Sequence, residues 1–409
     1  MSNPTVKFRP TPAFLLSLGL LLVGVFPFPG GWGRAVRLSL RSPEISRADR
    51  EQSAGGYYEG LIGVGDGRDE LSMRLLGKPA NWANIHQIDA IRNLPGDPLQ
   101  FELKPNIERT LFGRRFSTNA YGLRDRPTTL EKPPGTFRIA LLGSSMDMGW
   151  GVGTEETYEN LLEDWLNAHA RKLKLSRRFE VQNFAVAAYS PLNRLESFER
   201  KALTFKPDMV IYSSTLLDVR LLEIYLENLL KTRVRPSDPR LLALLDSAGL
   251  AAADLRLNGK KDFANKPRVK AKIGPILWPM TDAVVGRLAD DCRARGLPLV
   301  GVLIPRVSDT DENTRRAEQV ARHVGVAARH SVPMIDLSAS YDGQDPAELE
   351  IATWDDHPNA LGHRVLFKGL AAALVKNPDI YTKLFSVPNS SASAGAAREK
   401  EAFTDGHDL

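Results

Sequence analysis

The segment Phe137-Arg138-Ile139-Ala140-Leu141-Leu142-Gly143-Ser144-Ser145 constrains this chain more than any other stretch. An apolar run of strand length follows the turn formers Pro133, Pro134 and Gly135. It stops at Gly-Ser-Ser, ahead of Met146-Asp147-Met148-Gly149-Trp150-Gly151-Val152-Gly153. Such a run reads as a buried strand feeding a tight loop. Beyond the loop a helical pattern opens, with Thr154 as N-cap, Glu155 and Glu156 in the first turn, and Tyr158, Leu161, Leu162, Trp165 and Leu166 on one face. Strand, loop and helix begin a βαβ unit, and in an open α/β sheet chemistry is placed in loops at the carboxyl ends of strands. Ser144 or Ser145 therefore stands where a nucleophile can stand. A Gly-Ser turn that merely caps the helix reads the same way.

The alternation continues down the chain. Phe179 to Val186 reads as a second strand, with Ala187-Ala188-Tyr189-Ser190-Pro191 as the loop beyond it and a helix from Leu192 to Leu203. Lys206-Pro207 introduces a third strand, Met209 to Tyr212, ending in Ser213-Ser214-Thr215-Leu216-Leu217-Asp218. Between Val219 and Trp278 lies an insertion with leucines at helical spacing, placed like a lid or a packing insert. The sheet resumes at Leu299 to Ile304, followed by a helix from about Glu312 to Val326 and a last strand at Met334-Ile335-Asp336. Right-handed crossovers return each strand in the same direction, so every loop falls at one edge of a parallel sheet.

With 409 residues the chain has room for one large α/β domain plus additions. A formal charge of +5 is mild at this length, and the basic clusters at Arg171 to Arg178 and Lys260 to Lys272 carry no interleaved aromatic ladder or zinc-finger spacing, so they read as solvated faces and no nucleic-acid partner is expected. The single cysteine, Cys292, excludes an intrachain disulfide and reads as a small buried hydrophobe. Gly63-Val64-Gly65-Asp66-Gly67 lacks the spacing of a phosphate-cradling loop and carries an acid where an anion would bind.

At the N-terminus, Lys7 and Arg9 precede an apolar run from Ala13 to Phe26 that ends at Pro27-Phe28-Pro29-Gly30-Gly31. It is shorter than the about 20 residues of a spanning helix but has the layout of a signal peptide. An exported protein, secreted or held at the membrane by this segment, is the expectation.

The last motif is Trp354-Asp355-Asp356-His357-Pro358-Asn359-Ala360-Leu361-Gly362-His363. Asn359 is a natural N-cap for a helix running to about Val375, which sets His357 just outside the positive end of that helix, where a neutral imidazole is favoured. In an extended loop a carboxylate two positions back faces the same side as the histidine, so Asp355 is the orienting acid, with Asp356 as the alternative. His363 reads as packing or surface, and His86, His169, His323 and His330 have no partner at useful spacing.

Gly-Ser-Ser after the first strand, Asn183 to Ser190 after the second, and Asp-x-His-Pro-Asn before the last helix together resemble the SGNH (GDSL-type) hydrolase family over roughly residues 116 to 376. The resemblance implies a flavodoxin-like three-layer α/β/α parallel sheet. It makes Ser145 the nucleophile, with Asp355 and His357 completing a triad, and gives the backbone N–H groups of Ser145 and Ala188 to an oxyanion hole. On this reading residues 1–34 are a signal peptide or membrane anchor and 35–132 an accessory N-terminal region. Residues 133–385 form the SGNH hydrolase-like domain, with a helical insertion at 219–278, and 386–409 form a disordered tail.

This chain departs from the family pattern at three places. Ser144 stands for the aspartate of the first block, Ala188 for the glycine of the second, and Leu217 for the third-block asparagine, a side-chain oxyanion donor. Thr215, Ser214 or Asn183 would have to supply that missing donor. Asp147, so near the nucleophile, would repel a developing oxyanion unless it points away. The expected function is serine-dependent hydrolysis of acyl esters of carbohydrate or lipid, with no metal or organic cofactor. The alternatives are an O-acyltransferase modifying exported polysaccharide and a catalytically inactive carbohydrate-binding relative.

Overall fold

Strands apolar at every position are stable only between two layers, and the runs at 139–142, 209–212 and 299–304 have that character. The computed structural model describes residues 87–250, 266–309 and 314–386, together with Lys78, Pro79 and Ile85. The apolar run at 13–26, the glycine-rich stretch at 55–67, His86, residues 251–265 of the insertion and the tail beyond Ser386 lie outside the described residues. Among those described, no helix is long and apolar enough to cross a membrane.

Two antiparallel ribbons come first: β1 (Ile91–Asn93) with β2 (Phe101–Leu103), and β3 (Glu108–Leu111) with β4 (Arg114–Ser117). Then follow β5 (Thr136–Leu142), the one-turn helix α1 (Ser145–Met148), α2 (Tyr158–Lys172), β6 (Arg178–Asn183), α3 (Pro191–Arg200) and β7 (Met209–Thr215). Next are α4 (Asp218–Thr232), α5 (Pro239–Ser247), α6 (Lys266–Ile273), α7 (Leu277–Ala294), β8 (Leu299–Ile304), α8 (Thr314–Arg329) and β9 (Met334–Asp336). The helix α9 (Pro346–Leu349), a third ribbon of β10 (Glu350–Ala352) with β11 (Asp355–Pro358), α10 (Ala360–Lys376) and α11 (Pro378–Phe385) complete the described chain.

The main sheet has the order β6-β5-β7-β8-β9, every neighbour parallel. Numbered by these five strands alone the order is 2-1-3-4-5, the flavodoxin-like arrangement expected from the sequence. Period-two alternation divides the core between its faces. Ile139, Leu141, Met209 and Ile211 pack with Leu162 and Leu166 of α2 and Leu366, Leu370 and Leu374 of α10. Ala140, Leu142, Val210 and Tyr212 pack with α3, α4 and α7 through Phe198, Leu226 and Val284. Cys292 is buried on this second face, and burial pushes its thiol up to about 12, in keeping with the inert hydrophobe read from the sequence.

Local boundaries differ from the sequence reading in ways that polar side chains explain. α2 begins at Tyr158 with Thr157 as N-cap, because buried Arg124 donates to the Thr154 hydroxyl and to the Val152 carbonyl and holds residues 154–156 in a separate turn. β6 stops at Asn183, whose side chain accepts from the Ala185 N–H at 3.0 Å and turns the chain out of the sheet. β7 runs on to Thr215, paired with Ile304, so Ser213 to Thr215 lie inside a strand rather than in a loop.

Buried polar groups tie the loops at the carboxyl edge together. The Asn183 amide donates to the Asp147 carbonyl at 2.8 Å and to Glu159 Oε1 at 2.9 Å, and its N–H donates to Asp125 Oδ2 at 3.0 Å. Arg194, fully buried, donates to both oxygens of Asp218 at 2.7 Å and to the Tyr189 and Ser213 carbonyls. Removing one member of such a pair leaves a buried charge uncompensated, a loss of about 3–5 kcal/mol.

Burial, opposed by hydrogen bonds from neighbours and by the charge of Arg124, pushes the Glu159 carboxyl up to about 7. An acid raised above its unfolded value binds its proton more tightly in the folded state, so its share of the stability declines as pH rises from about 4.5 to about 7. Glu159→Gln should flatten that part of the stability curve by up to about 3 kcal/mol, read from urea unfolding across the pH range. A curve as steep in the variant as in the wild type would refute the assignment.

Candidate active site

Three segments bring side chains to one point above the carboxyl ends of β5, β6 and β7. Ser145 is the first residue of α1, directly beyond β5. Its hydroxyl lies 2.7 Å from His357 Nε2, and His357 Nδ1 lies 2.5 Å from Asp355 Oδ1. The His357 N–H also donates to Asp355 Oδ1 at 3.2 Å, and the Trp150 indole N–H donates to Asp355 Oδ2 at 3.1 Å. All four residues are buried; Ser145 is only 1% exposed, so the hydroxyl is closed off from bulk solvent.

Burial alone would raise Asp355, but His357 beside it and the N–H donors of His357 and Trp150 outweigh burial and hold the carboxyl below its ordinary value. An ionised Asp355 only accepts, so Nδ1 of His357 donates to it. In the neutral imidazole Nε2 is then the acceptor for the Ser145 hydroxyl, the arrangement in which an imidazole can remove a serine proton. Asp355 and His357 lie two residues apart on β11 and share a face, and Asn359 follows as N-cap of α10, accepting from Leu361 N–H at 2.8 Å and Gly362 N–H at 3.1 Å.

The structure also decides between alternatives left open in the sequence. Ser144 is the N-cap of α1 and its N–H donates to Asp147 Oδ2 at 2.7 Å, so Ser145 is the serine facing the imidazole. Asp356 makes no hydrogen bond to the imidazole and accepts instead from the Ser308 hydroxyl at 2.5 Å and Arg306 at 3.3 Å. Although Asp355, Asp356 and His357 offer ligand atoms to one region, these bonds already engage them separately. Asp147 turns into the core, accepting from the Tyr158 hydroxyl at 2.6 Å, which removes the expected conflict with the nucleophile. His363 is buried packing, stacked on Tyr158 and accepting the Tyr158 N–H at 3.2 Å.

Two of the three side chains that could replace the missing oxyanion donor are committed elsewhere. The Thr215 hydroxyl donates to Asp218 and accepts from Leu217 N–H, and the Asn183 amide is committed to Asp147 and Glu159. Ser214 is buried within β7. Leu217 packs against the apolar cluster that includes Met148, Trp150 and Trp354, and its side chain offers no donor. The N–H groups of Ser145 and Ala188, by contrast, donate to no protein acceptor among the described residues. Ala188 occupies the third position of a turn closed by Tyr189 N–H to Val186 O at 3.1 Å, with φ of 64°. That left-handed conformation is the one glycine adopts freely and alanine adopts at a cost.

Sequence reasoning missed Trp150, which stands in a glycine-rich loop with no recognisable spacing to the histidine motif.

No family model matches the sequence, and no curated protein matches it. Solved structures do match. LAE5, an alpha/beta hydrolase enzyme from the metagenome of Lake Arreo, Spain, is 16% identical with a TM-score of 0.37, over 58% of this chain and 94% of that one. A catalytic mutant of Axe2, an acetylxylan esterase from Geobacillus stearothermophilus, is 14% identical with a TM-score of 0.38, over 58% and 93%. The acetyl xylan esterase AlAXEase is 12% identical with a TM-score of 0.34, over 58% and 100%. The likeness is one of fold.

The Ala188 conformation generates a prediction. Ala188→Gly relieves about 1–2 kcal/mol of left-handed strain against about 0.4–1 kcal/mol of added unfolded-state entropy. The variant should melt at an equal or slightly higher temperature with the turn intact; clear destabilisation would mean the turn does not carry the strain.

Proposed function

We propose that this protein is a serine-dependent ester hydrolase of the SGNH type, acting on acyl esters of carbohydrate or lipid. The observation that carries the proposal is the unbroken line from Ser145 Oγ through His357 to Asp355, at 2.7 and 2.5 Å. In this mechanism His357 takes the Ser145 proton as the oxygen attacks the ester carbonyl, and Asp355 stabilises the imidazolium that forms. The N–H groups of Ser145 and Ala188 hold the oxyanion. His357 returns the proton to the leaving alcohol, and an incoming hydroxyl, activated by the same imidazole, releases the acyl group from the serine.

The burial of Ser145 favours a second reading, O-acyl transfer to an acceptor hydroxyl such as that of an exported polysaccharide. A site shut off from solvent protects an acyl-enzyme from hydrolysis until the acceptor binds. An assembled triad argues against the inactive binding protein, since such a protein has no use for the proton relay. The charged and apolar layout at residues 7–26 supports an extracytoplasmic site of action, secreted or membrane-held.

The purified protein should release acetate from p-nitrophenyl acetate, and Ser145→Ala should bring this to background; equal rates for the two would end the proposal. Adding a polysaccharide acceptor separates the readings, because transfer moves acyl groups onto it at the expense of free acid. With Leu217 in place of an amide, turnover should be slow, since a missing oxyanion donor costs about 10²–10³ in rate. Leu217→Asn should raise kcat by about tenfold or more, and a fall in kcat would show that the hole is completed in another way.

A further inference from the structure

The loop Gly149-Trp150-Gly151 belongs to no element of the proposed chemistry, yet it places a large aromatic side chain, 1% exposed, against the triad acid. We infer that Trp150 is a positioning residue whose indole N–H holds the Asp355 carboxylate in the orientation that sets the proton-accepting state of His357. The inference rests on the hydrolase reading above for its catalytic consequence, while its physical content is a property of the Asp355–His357 pair alone.

Three observations support it. The two oxygens of Asp355 have divided duties: Oδ1 receives Nδ1–H and N–H of His357, while Oδ2 receives the indole N–H at 3.1 Å. A carboxylate bonded at one oxygen can still rotate about its Cβ–Cγ bond, and a donor on the second oxygen removes that freedom. The main chain of Trp150 is in turn bonded to the nucleophile residue, its N–H donating to the Ser145 carbonyl at 3.2 Å. One residue therefore spans from the carbonyl of the serine to the carboxylate of the acid.

The loop is built to aim that ring. Gly149 caps α1 in the left-handed region at φ of 75°, and a Cβ there would lie 2.3 Å from Thr157 Cγ2. Gly151 has φ of 79°, and a Cβ there would lie 2.2 Å from Ile351 Cδ1. The two glycines allow the chain to reverse on both sides of Trp150 in a space that admits no side chains. Phe112, at the tip of the β3–β4 hairpin, meets the indole edge-on at 5.9 Å and stacks on Trp354 at 5.7 Å, so aromatic packing restrains the ring.

Removing the N–H should have a signature that loss of packing does not share. A carboxylate deprived of a donor is less well stabilised and attracts a proton on the imidazole more strongly, so His357 should become a stronger base. In Trp150→Phe the His357 titration, followed by NMR of its ring, should move to higher pH, and the acid limb of kcat/KM should move with it. kcat should fall about ten- to hundredfold, the value of a hydrogen bond to a charged group, with KM little changed. If Trp150→Phe does not fold, replacing the indole by benzothiophene at the same position removes the N–H while keeping the shape, and the same shift is expected. Phe112→Leu, which loosens the packing and leaves the hydrogen bond, should lower the melting temperature without moving the His357 titration. An unmoved titration in the variants lacking the N–H overturns the inference. Because that readout needs no turnover, a wild-type protein inactive on esters would overturn the hydrolase reading separately.

Discussion

One imidazole carries the architecture of this site. His357 holds hydrogen bonds of 2.7 Å to Ser145 and 2.5 Å to Asp355, and the first of these joins residues 212 positions apart. A contact of such separation survives only if both segments are rigid where they meet. The parallel sheet supplies that rigidity on one side, ending β5 in the capped turn of α1. The N-cap of α10, made by Asn359, supplies it on the other.

Behind the first contacts lies a polar scaffold in the interior. Asn183 links the loop after β6 to the carbonyl of Asp147 and to Glu159, while Arg194 ties the carbonyl of Tyr189 to Asp218 at the start of α4. These bonds join the loops after β5, β6 and β7 across the sheet edge. Through Arg194 and the Tyr189 carbonyl they also anchor the turn that carries Ala188. The same commitments explain why no third oxyanion donor emerges from Thr215 or Asn183: each is already spent on holding the frame.

The region before β5 reaches the site too. Phe112 of the β3–β4 hairpin contacts the rings of Trp150 and Trp354, and the Tyr189 hydroxyl donates to the Phe101 carbonyl at 2.9 Å. These rings, with Leu217 and Ile351, belong to one apolar cluster whose Trp150 ring lies 6.4 Å from that of His357.

Much of this was legible from one sequence. The five-strand alternation, the serine at the end of the first strand, the histidine ahead of an N-capped helix and the inert cysteine all follow from local pattern, because apolar periodicity and capping are properties of neighbouring residues. Local pattern could not choose between Ser144 and Ser145 without the family resemblance, nor commit Asp147 to Tyr158 and Asp356 to Ser308 and Arg306. It could not detect that Trp150 meets Asp355, or that Ala188 adopts a left-handed turn. Those outcomes depend on contacts between segments far apart in the chain, where the direction of each side chain is decided by packing and by competing hydrogen-bond partners. Sequence alone determined which residues could do chemistry and on which edge of the sheet they lie; tertiary structure decided which of them face one another, because a hydrogen bond is set by distance and angle and not by order along the chain.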